Sequence, residues 1–368
     1  MARQMSTVLL RPGMVLGRSL YDAQGRVLLQ RGLVIQEQYI KRIRSMYASI
    51  YIEDEFSAGI DLVEAIPVEV RLVMQQTLSR QWEYWERNVS FERLTLQPGF
   101  ARGLREQMKT LLQIVFATTV IQEDLAALAS FDNGTYVHSM NVAIYAMMLG
   151  HALQLPDSLL IDLGIGAMLH DIGKLWVPSD VINKQGPLTA AETMVMQRHA
   201  EWGHHVLSRQ TELSYLVAHC AYQHHERLNG SGYPRGLTGD ETHQFGKILA
   251  VVDVYDAMVM HRPYRLGFPP AEVMEYLFSR AATEFDLDLV SLFSQKVAMY
   301  PLGTTVVLSD RTNGLVVRIH DNVPSRPVVL IVKGPDGEPV EPREVDLCQQ
   351  LNLTITRTHA SVIIESID

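Results

Sequence analysis

Hydrophobic and polar residues change their rhythm three times along this chain, and each change marks an expected boundary. Over residues 1–60 the apolar runs are short: "TVLL", a turn at "RPGM", then "SLYDAQGRVLL" with a second turn at "DAQG". Short runs punctuated by Gly, Pro and Asp predict strands and tight turns. "VIQEQYIKRIRSM" spaces its apolar residues by three and four and predicts a helix, after which "ASIYIE" predicts a strand. Over residues 61–110 the pattern turns helical and charged, as in "VEVRLVMQQTLSRQWEYWERN", with a break at Pro98-Gly99. This stretch reads as a helical connector, and its apolar stripe over 63–110 suggests a homodimer contact.

Residues 111–297 are dominated by long helical patterns. "SLLIDLGIGAMLH" is apolar on nearly every side, as a helix inside a larger helical core must be. "KILAVVDVYDAMVM" is similar, although its β-branched residues leave helix and strand both open. Over residues 298–368 the texture changes again: "GTTVVLSD", "GLVVRIH", "RPVVLIVKG" and "LTITRT" are β-branched and separated by turn signals at Asn313-Gly314 and "GPDGEP". The expected fold is mainly α, a helical central domain flanked by small β-rich N- and C-terminal modules.

Composition narrows the chemistry. With 368 residues and 47% hydrophobic content the chain can bury a sizeable core. Two cysteines are too few for a disulfide framework, which fits a reducing cytoplasm and leaves metal binding to histidine and carboxylate. No apolar run approaches the about 18 residues that a membrane span needs, and the N-terminus lacks a signal-like core, so a soluble, untargeted protein is expected. The net charge of −9 argues against nucleic acid as a partner. Of 13 histidines, 11 lie between His138 and His261. Any chemistry therefore sits in the middle.

There, "AMLHDIGK" sets His170 and Asp171 at the end of an apolar run, with Lys174 one turn later. Burying an ionised carboxylate costs several kcal/mol without compensation, and a divalent cation is the strongest compensator. A neutral histidine capping a helix would explain the dipeptide as well. In "HHERLNGSGYP", His224 and His225 diverge by about 100° if helical, which suits two neighbouring ions better than one. The Gly- and Pro-rich turn after them would present Tyr233 to a ligand. Asp253 stands inside an apolar run and must be paired, protonated or ligating, with Asp256 one turn on. "HRPYR" supplies Arg262 and Arg265, two forks suited to phosphate or to surface salt bridges. His138 and His199, taken singly, read as structural. His204-His205 imitates the second pair but lacks the turn and reads as helix surface; His219 and His243 read as structural.

Taken together, "HSMNVA", "HDIGK", "KQGPLTAAE", "RHAEWG", "HHERLNGSGYP", "VVDVYDA" and "HRPYR" fall in an order that resembles the HD-GYP family of bacterial cyclic di-GMP phosphodiesterases, a branch of the HD phosphohydrolases, from about Asp132 to Arg265. The resemblance implies a centre of two divalent ions, iron or manganese, held by His138, His170, Asp171, His199, His224, His225 and Asp253, with Asp171 between them. It implies water as the nucleophile on cyclic di-GMP, giving pGpG and leaving open whether the final product is pGpG or GMP. Asp171 and Lys174 carry catalysis, and Lys174, Tyr233, Asp256, Arg262 and Arg265 hold the substrate. Gly134 stands where some members carry a glutamate for a third metal, and Asn229 where aspartate is common. The alternatives are an HD phosphohydrolase on another cyclic dinucleotide, and a non-hydrolytic receptor that binds cyclic di-GMP or a diguanylate cyclase domain protein.

Overall fold

The computed structural model describes residues 2–22, 26–54, 65–88, 96–122, 125, 134–261 and 267–358. The N-terminal module pairs β1 (Arg3–Ser6), β5 (Ser49–Glu53) and β2 (Val15–Leu16) in the order β1-β5-β2, all antiparallel. A small hairpin of β3 (Leu20–Tyr21) and β4 (Val27–Leu29) stands beside it, and α1 (Glu37–Met46) buries Ile40 and Ile43 against the module's core. One expectation fails here. "TVLL" is not a strand: Thr7–Leu9 forms a 3₁₀ turn capped by the Ser6 hydroxyl, leaving Val8 and Leu9 exposed, and the strand is the preceding, more polar Arg3–Ser6. Pairing with β5 outweighs intrinsic β-propensity at this point.

The helical body begins earlier than expected. α2 (Val68–Asn88) and α3 (Phe100–Ala117) contribute Met74, Leu78, Trp85, Leu104, Met108 and Leu111 to the same core as α4 (Gly134–Ala152) and α5 (Asp157–Leu169). The apolar residues of α2 and α3 just named are therefore used within the chain. α5 is apolar all round because α3, α4 and α9 (Tyr215–Gln223) pack against it. Burial of each of its leucines and isoleucines is worth about 1.5–3 kcal/mol. A 3₁₀ helix (Ile172–Trp176) follows α5 and leads through α6 (Ser179–Ile182) and α7 (Ala190–Gln197) to α8 (His199–Leu207). The ambiguous apolar run around Asp253 is helix α10 (Gln244–Val259), held by packing on α4 and α9, and α11 (Pro270–Arg280) and α12 (Leu287–Ser294) close the body.

The C-terminal sheet runs β10-β6-β7-β8-β9, antiparallel throughout, from β6 (Thr305–Leu308), β7 (Asn313–Arg318), β8 (Val328–Lys333), β9 (Pro339–Asp346) and β10 (Ile355–Thr358). β9 was not legible as a strand: "PVEPREVD" is exposed over its first six residues, and its prolines and charges suit an edge. Among the described residues no helix is long and apolar enough to cross a membrane.

Candidate metal centre

Five helices deliver side chains to one buried point. α4 supplies His138, the end of α5 supplies His170 and Asp171, α8 opens with His199, and α9 ends at His224 and His225. α10 supplies Asp253. The approach depends on glycine at two places. A Cβ on Gly173 would lie 1.8 Å from the His199 carbonyl oxygen, so only glycine lets the "HDIGK" turn touch α8. A Cβ on Gly232 would lie 2.5 Å from both the Glu226 Cα and the His225 carbonyl oxygen, so the loop after the histidine pair can fold back only with glycine there.

Tautomers follow from the backbone. His170 Nδ1 donates to the Ala167 carbonyl at 2.7 Å, His199 Nδ1 to Met196 at 2.7 Å, and His224 Nδ1 to Ala221 at 3.0 Å. A carbonyl can only accept, so each Nδ1 carries a proton and a neutral ring presents a bare lone pair at Nε2. Those three Nε2 atoms converge on Asp171: His170 lies 3.4 Å from Oδ2, and His199 and His224 lie 3.5 and 3.7 Å from Oδ1. The Nε2 atoms of His199 and His224 are 3.2 Å apart. Two lone pairs at that distance repel unless a cation lies between their carboxylate and them. Consistent with this, His170 Nε2 and Asp171 Oδ1 are buried and take no hydrogen bond. The donor atoms of Asp171, His199, His224 and His225 lie within 4.8 Å of one another, as do those of His138, His170 and Asp171, and those of His170, His224 and Asp253. Oxygen and imidazole donors without thiolate fit hard or borderline divalent ions.

The titration of the bare cluster shows the same conflict. Burial alone would lower His170, but Asp171 and Asp253 beside it raise it to about 10, so a proton takes the cation's part. Burial and neighbouring imidazoles hold His224 and His225 well below the ordinary histidine range. Asp171 and Asp253 stay ionised despite burial, held down by Lys174 and His170 in one case and by His138 and His170 in the other.

Around the seven, Lys174 Nζ contacts Asp171 Oδ2 and is about a third exposed. The Tyr233 ring lies over that of His225, centroids 4.6 Å apart. Asp256 requires a correction. It is 1% exposed, accepts from His138 Nδ1 at 2.7 Å and from Asn141 Nδ2 at 2.9 Å, and so orients the His138 ring, whose Nε2 faces Asp253 at 3.1 Å. An acid buried behind its histidine cannot reach a substrate. Arg262 and Arg265 lie outside the described residues. Sequence reasoning overlooked Glu226: its two oxygens accept from the Arg235 and Leu237 backbone N–H groups, each at 2.9 Å, and pin the Tyr233 loop. The signal was available, since a Gly/Pro-rich loop leaves N–H groups that need an acceptor. Asn229 caps the same loop, accepting from Ser231 N–H at 3.0 Å. His204 is half-buried rather than on the surface, stacked on Tyr222 at 4.4 Å. His243 caps α10 by accepting from Phe245 N–H at 3.1 Å, and burial lowers both it and His219.

Residues 121–289 match the family described as HD domain, and residues 305–364 match the one described as KOW domain associated with HD domain. Over 196 residues the chain is 36% identical to a cyclic di-GMP phosphodiesterase of Pseudomonas aeruginosa, a match covering 53% of this chain and 47% of that protein. It is 29% identical over 269 residues to a 3'3'-cGAMP-specific phosphodiesterase of Vibrio cholerae, covering 66% of this chain and 51% of the relative. A cyclic di-GMP phosphodiesterase of Thermotoga maritima matches at 34% over 163 residues, 44% of each chain. The chain thus spans about half the length of these relatives.

Proposed function

We propose that the segment matching the HD domain, residues 121–289, works as a member of that family and that its histidine–aspartate centre hydrolyses cyclic di-GMP, opening the ring to pGpG and carrying it on to GMP. The observation that supports this most is the convergence of three imidazole Nε2 atoms on one buried carboxylate, with each ring's Nδ1 committed to a backbone carbonyl. Two divalent ions, which the donor set allows to be iron, manganese or zinc and the family resemblance narrows to iron or manganese, would supply acidified water and neutralise phosphate charge when bound there. His170, His199, His224 and His225 with Asp171 and Asp253 would hold them, and His138 would complete the set.

The chain's own groups have separate tasks. Asp171 offers Oδ1 to one side of the cluster and Oδ2 to the other, which is the shape of a shared ligand. Lys174, partly exposed beside Asp171, would pair with a non-bridging phosphate oxygen as charge develops on it. Tyr233, its ring tilted by 30° against that of His225, would offer that ring to a base of the substrate. Asp256 and Asn141 keep the His138 ring from turning. Arg262 and Arg265 carry the expected grip on the second phosphate, and the free cysteines suit work in the cytoplasm.

Relatives named for both cyclic di-GMP and 3'3'-cGAMP make the second dinucleotide the competing substrate. Equal mixtures of the two, incubated with the metal-loaded chain and resolved by chromatography, decide between them: cyclic di-GMP disappears first under this reading, and preferential loss of 3'3'-cGAMP would replace it. A receptor that docks a diguanylate cyclase domain protein predicts tight cyclic di-GMP binding with neither nucleotide consumed.

A further inference from the structure

Away from the central cluster, the C-terminal sheet brings together a second set of metal-ligating side chains. His320 follows β7, and Asp346 and Cys348 stand at and just after the end of β9. A His320 ring nitrogen, an Asp346 carboxylate oxygen and Cys348 Sγ lie within 4.8 Å of one another. A tetrahedral ion with bonds of about 2.0–2.3 Å sets its donors roughly 3.3–3.8 Å apart, so small rotations of three half-buried side chains suffice. The backbone beneath them is fixed. Ile319 and Leu347, the residues adjoining them, are 5% and 1% exposed in the module's own core, and Arg326 Nε donates to the Leu347 carbonyl at 2.7 Å.

We propose that His320, Asp346 and Cys348 form a zinc site in the C-terminal module, with the fourth coordination position open. Two observations favour an ion over a plain His–Asp pair. That pair is 3.0 Å long, and the Cys348 N–H donates to the same Asp346 oxygen at 2.9 Å, which holds the Cys348 backbone beside it and leaves the thiol within reach of both partners. The thiol's present bond, Sγ to the Arg326 carbonyl at 3.3 Å, is a weak one that thiolate ligation would replace at little cost. The two cysteines also differ sharply. Cys220 is fully buried and its thiol is pushed far up by burial, whereas Cys348 is half-buried, with imidazole and carboxylate at hand. One nitrogen, one oxygen and one sulfur donor suit zinc, and three protein ligands with an open position resemble its non-structural sites.

The central cluster offers no thiolate, so a cobalt–sulfur signal is specific to this second site. The full-length chain carrying Asp171→Ala is titrated with Co(II), with absorbance followed in the near ultraviolet. A thiolate-to-cobalt charge-transfer band is expected, kept in Cys220→Ser and lost in Cys348→Ser and His320→Ala, each checked for its fold by circular dichroism. Zn(II) is also expected to slow alkylation of Cys348 roughly tenfold in the otherwise native chain, since the thiolate is then held by the metal. Absence of the band, or its persistence in Cys348→Ser, together with alkylation indifferent to Zn(II), overturns the site while leaving the reading of the central cluster untouched.

Discussion

Two histidine pairs lie on successive helices, His204-His205 within α8 and His224-His225 at the end of α9, and they have opposite fates. His204 stacks on Tyr222 and is ringed by His219 and Tyr215. His224 and His225 face Asp171 and Asp253. Burial lowers the imidazoles in both places. A cation brought to His204 would meet aromatic rings, whereas at the second pair it meets two ionised carboxylates. The dipeptide is the same, and what distinguishes a ligand from an aromatic filler is the acid that other helices deliver.

That contrast can be broken by experiment. Asp171→Ala removes the carboxylate facing three imidazoles and should lower turnover by on the order of a thousandfold or more, with metal content reduced in parallel by elemental analysis. His224→Ala should cost roughly a hundredfold or more in turnover, while His204→Ala should stay within about twofold, because the first faces an acid and the second meets aromatic rings; equal losses would erase the distinction. Asp256→Asn weakens the partner that sets the His138 ring and should reduce metal affinity by roughly tenfold to a hundredfold in a chelator competition, whereas Asn141→Ala, one bond further out, should do less. The smallest effect is one of pH. In the metal-free chain His170 is raised to about 10, so it is protonated at neutral pH and must shed that proton to ligate. Metal uptake should therefore release protons, and apparent affinity should rise with pH toward 10 by up to roughly tenfold per unit for each proton displaced. Affinity falling as pH rises over that range would mean that His170 is not a ligand.

What could be read from the chain divides along physical lines. Periodicity is strong where burial is complete, so α5 and the long helical body were legible, and the family resemblance carried by the motifs implied the same seven side chains that the fold gathers. Asp256 was misread because it stands one turn from Asp253 and sequence spacing cannot tell a ligand from the acid behind it. Glu226 escaped notice because its partners are backbone N–H groups, which carry no signature of their own. The packing of α2 and α3 escaped for a different reason: an apolar stripe says that something covers it, and only the fold says that the cover is α4 and α5. Edge strand β9 has neither alternation nor β-branched density, since it exists to pair on one side and repel on the other.

Cleavage of cyclic di-GMP by the purified chain with Mn(II) or anaerobic Fe(II), followed by chromatography beside Asp171→Ala, tests the centre most directly. The account predicts metal-dependent appearance of pGpG, then GMP, in the native chain and none above background in the variant. A fully metal-loaded native chain that leaves cyclic di-GMP intact, or a variant that cleaves it as well as the native chain, would contradict it.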